Sequence, residues 1–323
     1  MAAGLARSIA AALAALVLSG AAARAQYPDR PVRVLLGYAA GSGADIMARW
    51  YVDKLREVSG GSFYIDNRVG AAGNIAAAEL AKAKPDGYTL MFAGSASQAG
   101  NRYLYKDLPF DSARDFDPIT TFCQLGFALL VNPEKTPVSS VAELTRALKA
   151  KNGKATYGWA VTSALAAAIL YVTSADIPAV QVGYKSTPAA ISDLEAGQID
   201  FAFADTVYAQ GQAKQGRVKI LANSADRRAS SAPDIPTMAE SGLPDATQTP
   251  WWAVWGPRGL PPEVVAKLAT WINRITAMPE TVTFLTSQGA DPLPGSPEET
   301  RRKLLATMKV WQRVVSLAKI EPQ

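Results

Sequence analysis

Four times along this 323-residue chain a short apolar run stops at a stretch of small and polar residues. The stops are Ala39 to Asp45, Gly94 to Gln98, Gly158 to Ser163 and Ala204 to Thr206, two in each half of the chain. Guests of open α/β sheets bind beyond the carboxyl ends of strands, so four such ends predict a cleft between two α/β lobes. The first stop says most. In Pro31 to Asp45, Val32, Val34, Leu35 and Leu36 read as a buried strand, Gly37, Gly41 and Gly43 as a turn, and Ala44 or Asp45 as a helix start. Glycines let backbone approach a guest closely, and the first amides of a helix have no internal partner. With the positive end of the helix dipole behind them, those amides suit a carboxylate or phosphate.

Strand-like and helix-like segments alternate over the whole chain, which predicts an α/β fold with largely parallel sheets. An amphipathic helix is expected over residues 44–58, a strand over 63–65, a helix over 75–83 and a strand over 89–93. The second set has strands near 129–131, 155–157, 180–182, 199–203 and 218–222, with helices near 141–149, 163–171 and 188–195. Trp251 to Trp255 and three helical stretches near 262–276, 280–287 and 297–318 fill the last third.

Residues 1–25 read as a secretory signal peptide: Arg7 precedes the apolar run Ile9 to Leu18, and Ala23-Arg24-Ala25 fits a cleavage site before Gln26. The apolar run falls short of the ~20 residues that span a bilayer. A lipid anchor would need a cysteine at the cleavage point, but the chain has one cysteine, Cys123. The expectation is therefore a free periplasmic protein. A single cysteine excludes an internal disulfide and a multi-cysteine metal site, and it is expected as a small buried hydrophobe. The chain has no histidine, which removes Ser-His and Cys-His pairs and the usual general base at neutral pH. A net charge of +5 becomes +3 without Arg7 and Arg24, because residues 1–25 carry no acid. That charge is mild and no run of Lys and Arg forms a patch, which argues against nucleic acid as a partner.

Several segments carry a resemblance to a known family. They include YPDRPVRVLLGYAAGSGADIMAR (27–49), DNRVGAAGNIAAAELAKAKPDGYTL (66–90), LYKDLPFDSARDFDPIT (104–120), GYKSTPAAISDLEAGQIDFAF (183–203) and DRRASSAPDIPTMAESGLP (226–244). In these and in VNP (131–133) and LPPEVVAKL (260–268) the chain resembles the Bug-type periplasmic solute-binding proteins, receptors of tripartite tricarboxylate transporters. The resemblance implies the two-lobed clamshell of periplasmic binding proteins: 26–126 as the first part of lobe 1, 127–246 as lobe 2, and 247–323 returning to lobe 1. It implies a small carboxylate ligand (a di- or tricarboxylate or an aromatic acid) delivered to membrane permease subunits, no cofactor, no metal, no chemistry, and a monomer. A sensor kinase is the alternative recipient. A hydrolase using Ser95 or Ser163 with a lysine base is the remote one, since no G-x-S-x-G elbow is present.

Carried over by position, the first-lobe loop is Tyr38, Ala40, Gly41, Ser42, Gly43, Ala44 and Asp45, joined by Ser95, Ser97 and Gln98. Lobe 2 contributes Trp159, Thr162, Ser163 and Asp205. Ser42 and Gly43 offer amides, and Thr162 and Ser163 either cap their helix or hold an anion with its amides. Asp45 is expected to cap its own helix more than to touch a guest. Arg68 is expected to be structural, and Trp251 and Trp252 to pack at the lobe junction. This chain departs from the family's common pattern at Ala44 (commonly Thr), Trp159 (commonly small), Leu165 (frequently His) and Asp205 (commonly Asn). Trp159 either stacks on a ring or fills the space of a shortened loop. The loop length, Trp159 and the loss of Thr at residue 44 tilt the expected ligand toward an aromatic or bulky carboxylate.

Overall fold

The computed structural model describes residues 27–318 and 320–322; the expected signal segment lies outside the described residues. Two sheets organise the chain. The first has strand order β11-β4-β10-β3-β1-β2 and the second β7-β6-β8-β5-β9. The first sheet comprises β1 (Val32–Leu36), β2 (Phe63–Asn67), β3 (Thr89–Gly94), β4 (Phe116–Leu125), β10 (Trp251–Pro257) and β11 (Ala290–Pro292). The second comprises β5 (Phe127–Val131), β6 (Ala155–Trp159), β7 (Ala179–Gly183), β8 (Phe201–Asp205) and β9 (Lys219–Asn223).

The expectation of largely parallel sheets needs correction. β1 runs parallel to β2 and β3, and β6 to β7 and β8. β10 runs antiparallel to β3 and β4, β11 to β4, and β5 to β8 and β9. The reason lies in the crossings. The βαβ units within each sheet must be parallel, but the strands that receive the chain after each crossing, β5 and β10, enter against that direction.

The outward crossing is short: Gly126 alone separates β4 from β5. A Cβ at Gly126 would stand 1.7 Å from Asn223 Oδ1, so a larger residue there would have to displace the Asn223 side chain. The return path is tied alongside it. Phe127 N donates to Ser224 Oγ (3.0 Å), Ser224 N to Phe127 O (2.8 Å), and Leu125 N to Pro250 O (3.0 Å). Thr206 Oγ1 donates to Gly126 O at 2.8 Å.

Local sequence explains the helix that opens the first sheet. α1 (Gly43–Ser59) buries Met47, Ala48, Tyr51, Val52 and Leu55, one stripe at helical spacing. Each large apolar side chain so buried contributes roughly 1.5–3 kcal/mol. Ser42 Oγ caps its start by accepting from Asp45 N (3.3 Å), and Gly60 ends it in the left-handed region (φ 70°). The stripe shares a core with Cys123, whose buried thiol lies 4.0 Å from Met47 Sδ, and burial pushes that thiol's pKa up.

Further helices are α2 (Asn74–Ala81), α3 (Asn101–Leu104), α4 (Val141–Ala150), α5 (Thr162–Ser174), α6 (Thr187–Ala196), α7 (Thr206–Lys214), α8 (Pro262–Thr276), α9 (Pro279–Ser287) and α10 (Pro297–Ala318). α10 buries Leu304, Met308, Trp311 and Val314 in a core that also holds Leu165, Ile169 and Tyr171 of α5. The C-terminal helix thereby packs on α5 of the second sheet's layer.

Candidate ligand-binding cleft

The carboxyl ends of β1, β3, β6 and β8 open on one cavity of about 470 Å³. Its walls include Tyr38, Ser42, Gly43 and Ala44 from the first loop, Gly94 and Ser95 from the end of β3, Val161 and Ser163 from the second sheet, and Asp205. A neighbouring cavity of about 480 Å³ shares Tyr38, Ala96, Val161 and Ser163 with it and adds Ser97, Trp159 and Thr162. These ten expected residues (Tyr38, Ser42, Gly43, Ala44, Ser95, Ser97, Trp159, Thr162, Ser163, Asp205) therefore meet along one interlobe cleft.

Four expected residues lie off both walls. Asp45 is 2 % exposed and its carboxylate is fully engaged. It accepts from Gly41 N (2.9 Å), Asn67 Nδ2 (2.9 Å) and the Arg49 guanidinium (2.7 and 3.0 Å). Nor is Asp45 the cap; Ser42 is, and Asp45 stands in the third helical position, bracing the loop from behind. Burial would raise the Asp45 pKa, but Arg49, Asn67 and the Gly41 N–H outweigh it and hold the group at about 2. Gly41 turns the loop at φ 79°, a conformation that glycine adopts without strain, and Ala40 is exposed. Gln98 is buried in the turn after β3, its Oε1 without a hydrogen-bond partner. Arg68 pairs with Asp66 of β2 (3.2 Å) and Glu79 of α2 (3.4 Å).

The positive poles of the main cavity come from backbone. Gly43 and Ala44 are the first two residues of α1, and helix geometry leaves their amides without intrahelical acceptors. Across the cleft, α5 begins at Thr162 with Val161 before it, no side-chain cap and no acid in its first turn. Ala164 N and Leu165 N both donate to Val161 O (2.9 and 3.1 Å), which leaves the Thr162 and Ser163 amides for a guest. A third helix start, that of α7, is capped by Asp205 Oδ1, which accepts from Tyr208 N at 2.9 Å. No Lys or Arg lines the cavity among the described residues. A serine nucleophile at Ser95 or Ser163 thus has no lysine base beside it on these walls.

Hydroxyls and rings complete the site. Ser95 Oγ accepts from Trp251 N (3.2 Å), which leaves its own proton to donate, whereas Ser97 Oγ donates to Gly94 O (3.0 Å). Tyr38 packs on Trp252 with ring centroids 5.1 Å apart, and burial of its hydroxyl pushes its pKa up to about 12. A Cβ at Gly94 would stand 3.3 Å from Trp252 Cε2 and 3.4 Å from Tyr38 Oη, so the glycine clears room for this pair. Trp159 packs against the core beside the second cavity, its buried Nε1 without a hydrogen-bond partner.

Sequence reasoning missed Ile46, Met47, Leu125, Phe127, Tyr208, Pro250, Trp252 and Gln288, all on the main cavity's walls. Trp252 was findable. Strand alternation sends Trp251, Ala253 and Trp255 into one core and Trp252 and Val254 into the other, so adjacent tryptophans have different roles. Trp251 packs as expected, its Nε1 donating to Thr307 Oγ1 (3.0 Å).

Residues 47–319 match the TctC family, described as the tripartite tricarboxylate transporter family receptor. A UPF0065 protein of Bordetella bronchiseptica is 33% identical over 321 residues, covering 99% of this chain and 95% of that one. Among solved structures, R. palustris Rpa4515 with adipate superposes with a TM-score of 0.82 at 30% identity, covering 92% of this chain and 100% of that one. MatC from Rhodopseudomonas palustris with bound malate gives 0.77 at 27% identity, covering 90% and 100%. The chain shares with these solved proteins the two-lobed α/β fold of periplasmic binding proteins, and it belongs to the TctC family of receptors.

Proposed function

We propose that this chain is exported to the periplasm by residues 1–25, captures a small carboxylate in its interlobe cleft, and delivers it to membrane permease subunits of a tripartite tricarboxylate-type transporter. One observation carries the reading: the uncapped start of α5 and the Gly43–Ala44 start of α1, from opposite lobes, line one cavity that has no basic side chain among its described walls. A carboxylate there exchanges its water for amides and for the hydroxyls of Ser42, Ser95 and Ser163. Each charge-assisted hydrogen bond of this kind is worth roughly 1.5–3 kcal/mol net. The lobes, 26–126 with 247–323 against 127–246, close on the guest about the Gly126 crossing, a hinge motion that presents a distinct closed surface to the permease. The adipate and malate held by the two R. palustris relatives support a carboxylate guest.

Thermal melting of the purified protein against a panel of aliphatic and aromatic carboxylates tests this. A guest that binds only the folded state stabilises it by roughly 2.7 kcal/mol at a hundredfold excess over Kd. No shift with any carboxylate, on protein verified to be ligand-free, contradicts the reading. Recovery in the periplasmic fraction with Gln26 as the first residue tests export.

A further inference from the structure

The cavity proposed to hold the carboxylate carries an acid on its own wall. Asp205 ends β8 and lines the cavity while its Oδ1 caps α7, so the side chain is fixed in place at the cleft. Tyr208, one turn further along, lines the same wall. The rest of the lining is largely apolar and aromatic, with Met47, Phe127 and Trp252 among it. No Lys or Arg stands among the described lining residues, and the chain has no histidine. In the reading proposed above, the Gly43 and Ala44 amides of α1 and the bare start of α5 serve one anionic group. A second carboxylate on the guest would meet a fixed carboxylate and hydrophobic side chains, with no cation on the wall to offset it. A hydroxyl or ammonium in that place would find an acceptor.

We propose that Asp205 selects the second pole of the guest: this chain takes a monocarboxylate with an apolar or aromatic body bearing a hydroxyl or ammonium donor, and discriminates against guests that end in a second carboxylate. The inference rests on the cleft being a carboxylate site, as proposed above, and narrows that site's ligand class.

Titration calorimetry with two matched series tests it. One series is 3-(4-hydroxyphenyl)propanoate against 3-(4-carboxyphenyl)propanoate. The other is 6-hydroxyhexanoate against adipate, with monomethyl adipate as the charge-silenced form of the same shape. In the series that binds, the hydroxy acid is expected to bind the unsubstituted protein roughly ten-fold or more tighter than the diacid. In the aliphatic series monomethyl adipate follows the hydroxy acid. Asp205→Asn keeps a good helix cap and turns an N–H donor toward the cavity. It is expected to shrink the preference at least about five-fold.

Smaller preferences in the unsubstituted protein, or a smaller change in a folded Asp205→Asn protein, overturn the inference. If that variant does not fold, the matched series on the unsubstituted protein decides alone. Binding of carboxylates outside both series only also overturns it. If no carboxylate of any kind binds, the carboxylate reading itself fails, and the two failures are thereby distinguished.

Discussion

The loops that open α1 and α5 perform the same turn from strand to helix, one in each lobe, yet their helix starts are finished differently. The α1 start is braced: Ser42 caps it, Asp45 ties Gly41 to Asn67 and Arg49, and Asn67 Nδ2 also donates to Tyr38 O (2.9 Å). The α5 start is bare, with Val161 in the cap position and no acid in the first turn. In an ordinary helix, leaving the cap position without a hydroxyl or carboxylate costs about 1 kcal/mol. Here that cost falls at the wall of a cavity, where an anionic guest can supply the missing acceptor. The two lobes divide the labour: the first holds a preformed wall, and the second keeps its positive pole open.

Removing the brace gives the largest expected effect. Asp45→Ala leaves the Gly41 amide, Asn67 and Arg49 without their shared acceptor, and chemical denaturation is expected to show a loss of about 3 kcal/mol. A change under about 1 kcal/mol would mean the brace is idle. Filling the bare pole comes next. Ser163→Asp puts a carboxylate where the guest's is proposed to sit, and calorimetry is expected to show binding weakened by roughly a hundredfold, about 2.7 kcal/mol. The same variant should melt no lower, because an acid in the first turn of a helix is worth about 0.3–1 kcal/mol in its favour. Lower melting with unchanged binding would reverse the assigned roles.

The brace also has a pH signature. Because the folded Asp45 pKa, about 2, lies below the ordinary value of 3.8, its contribution is full above pH 4. It is lost as pH falls from there through the folded value, an effect of about 2 kcal/mol. Comparing acid unfolding of the unsubstituted protein with Asp45→Asn isolates it, since the variant should lack that part of the slope. The smallest effect belongs to the cap. Ser42→Ala is expected to cost about 1 kcal/mol and to weaken binding only a few-fold, because the Gly43 and Ala44 amides remain.

How much of this was legible in the sequence follows the range of the interactions. The strand, turn and helix of 32–59 were readable almost to the residue, with the helix starting at Gly43 where Ala44 or Asp45 was expected. Apolar period, glycines and cap residue all act locally there. Four strand ends converging on one cleft were likewise readable, because βαβ units fix which end of a strand faces a guest. Asp45's role was half readable: its place near the helix start is local, but its partner Asn67 comes from β2.

The antiparallel β4, β10 and β11 were not readable as such. Pro118 interrupts the strand pattern of 116–125, and pairing direction depends on where the chain re-enters the sheet. Gln288 and Pro250 reach the cavity only through that return path. Tyr208 was hidden because TVYAQGQAK has little helical periodicity, so α7 itself went unread.

The most direct test of the central claim is a crystal structure of the protein with the carboxylate that raises its melting temperature most. One carboxylate group is expected with its oxygens roughly 2.7–3.2 Å from amides at the start of α1 and at the start of α5, bridging the two lobes. A carboxylate seated outside this cleft, or held by one lobe alone with the α5 start unused, would contradict it.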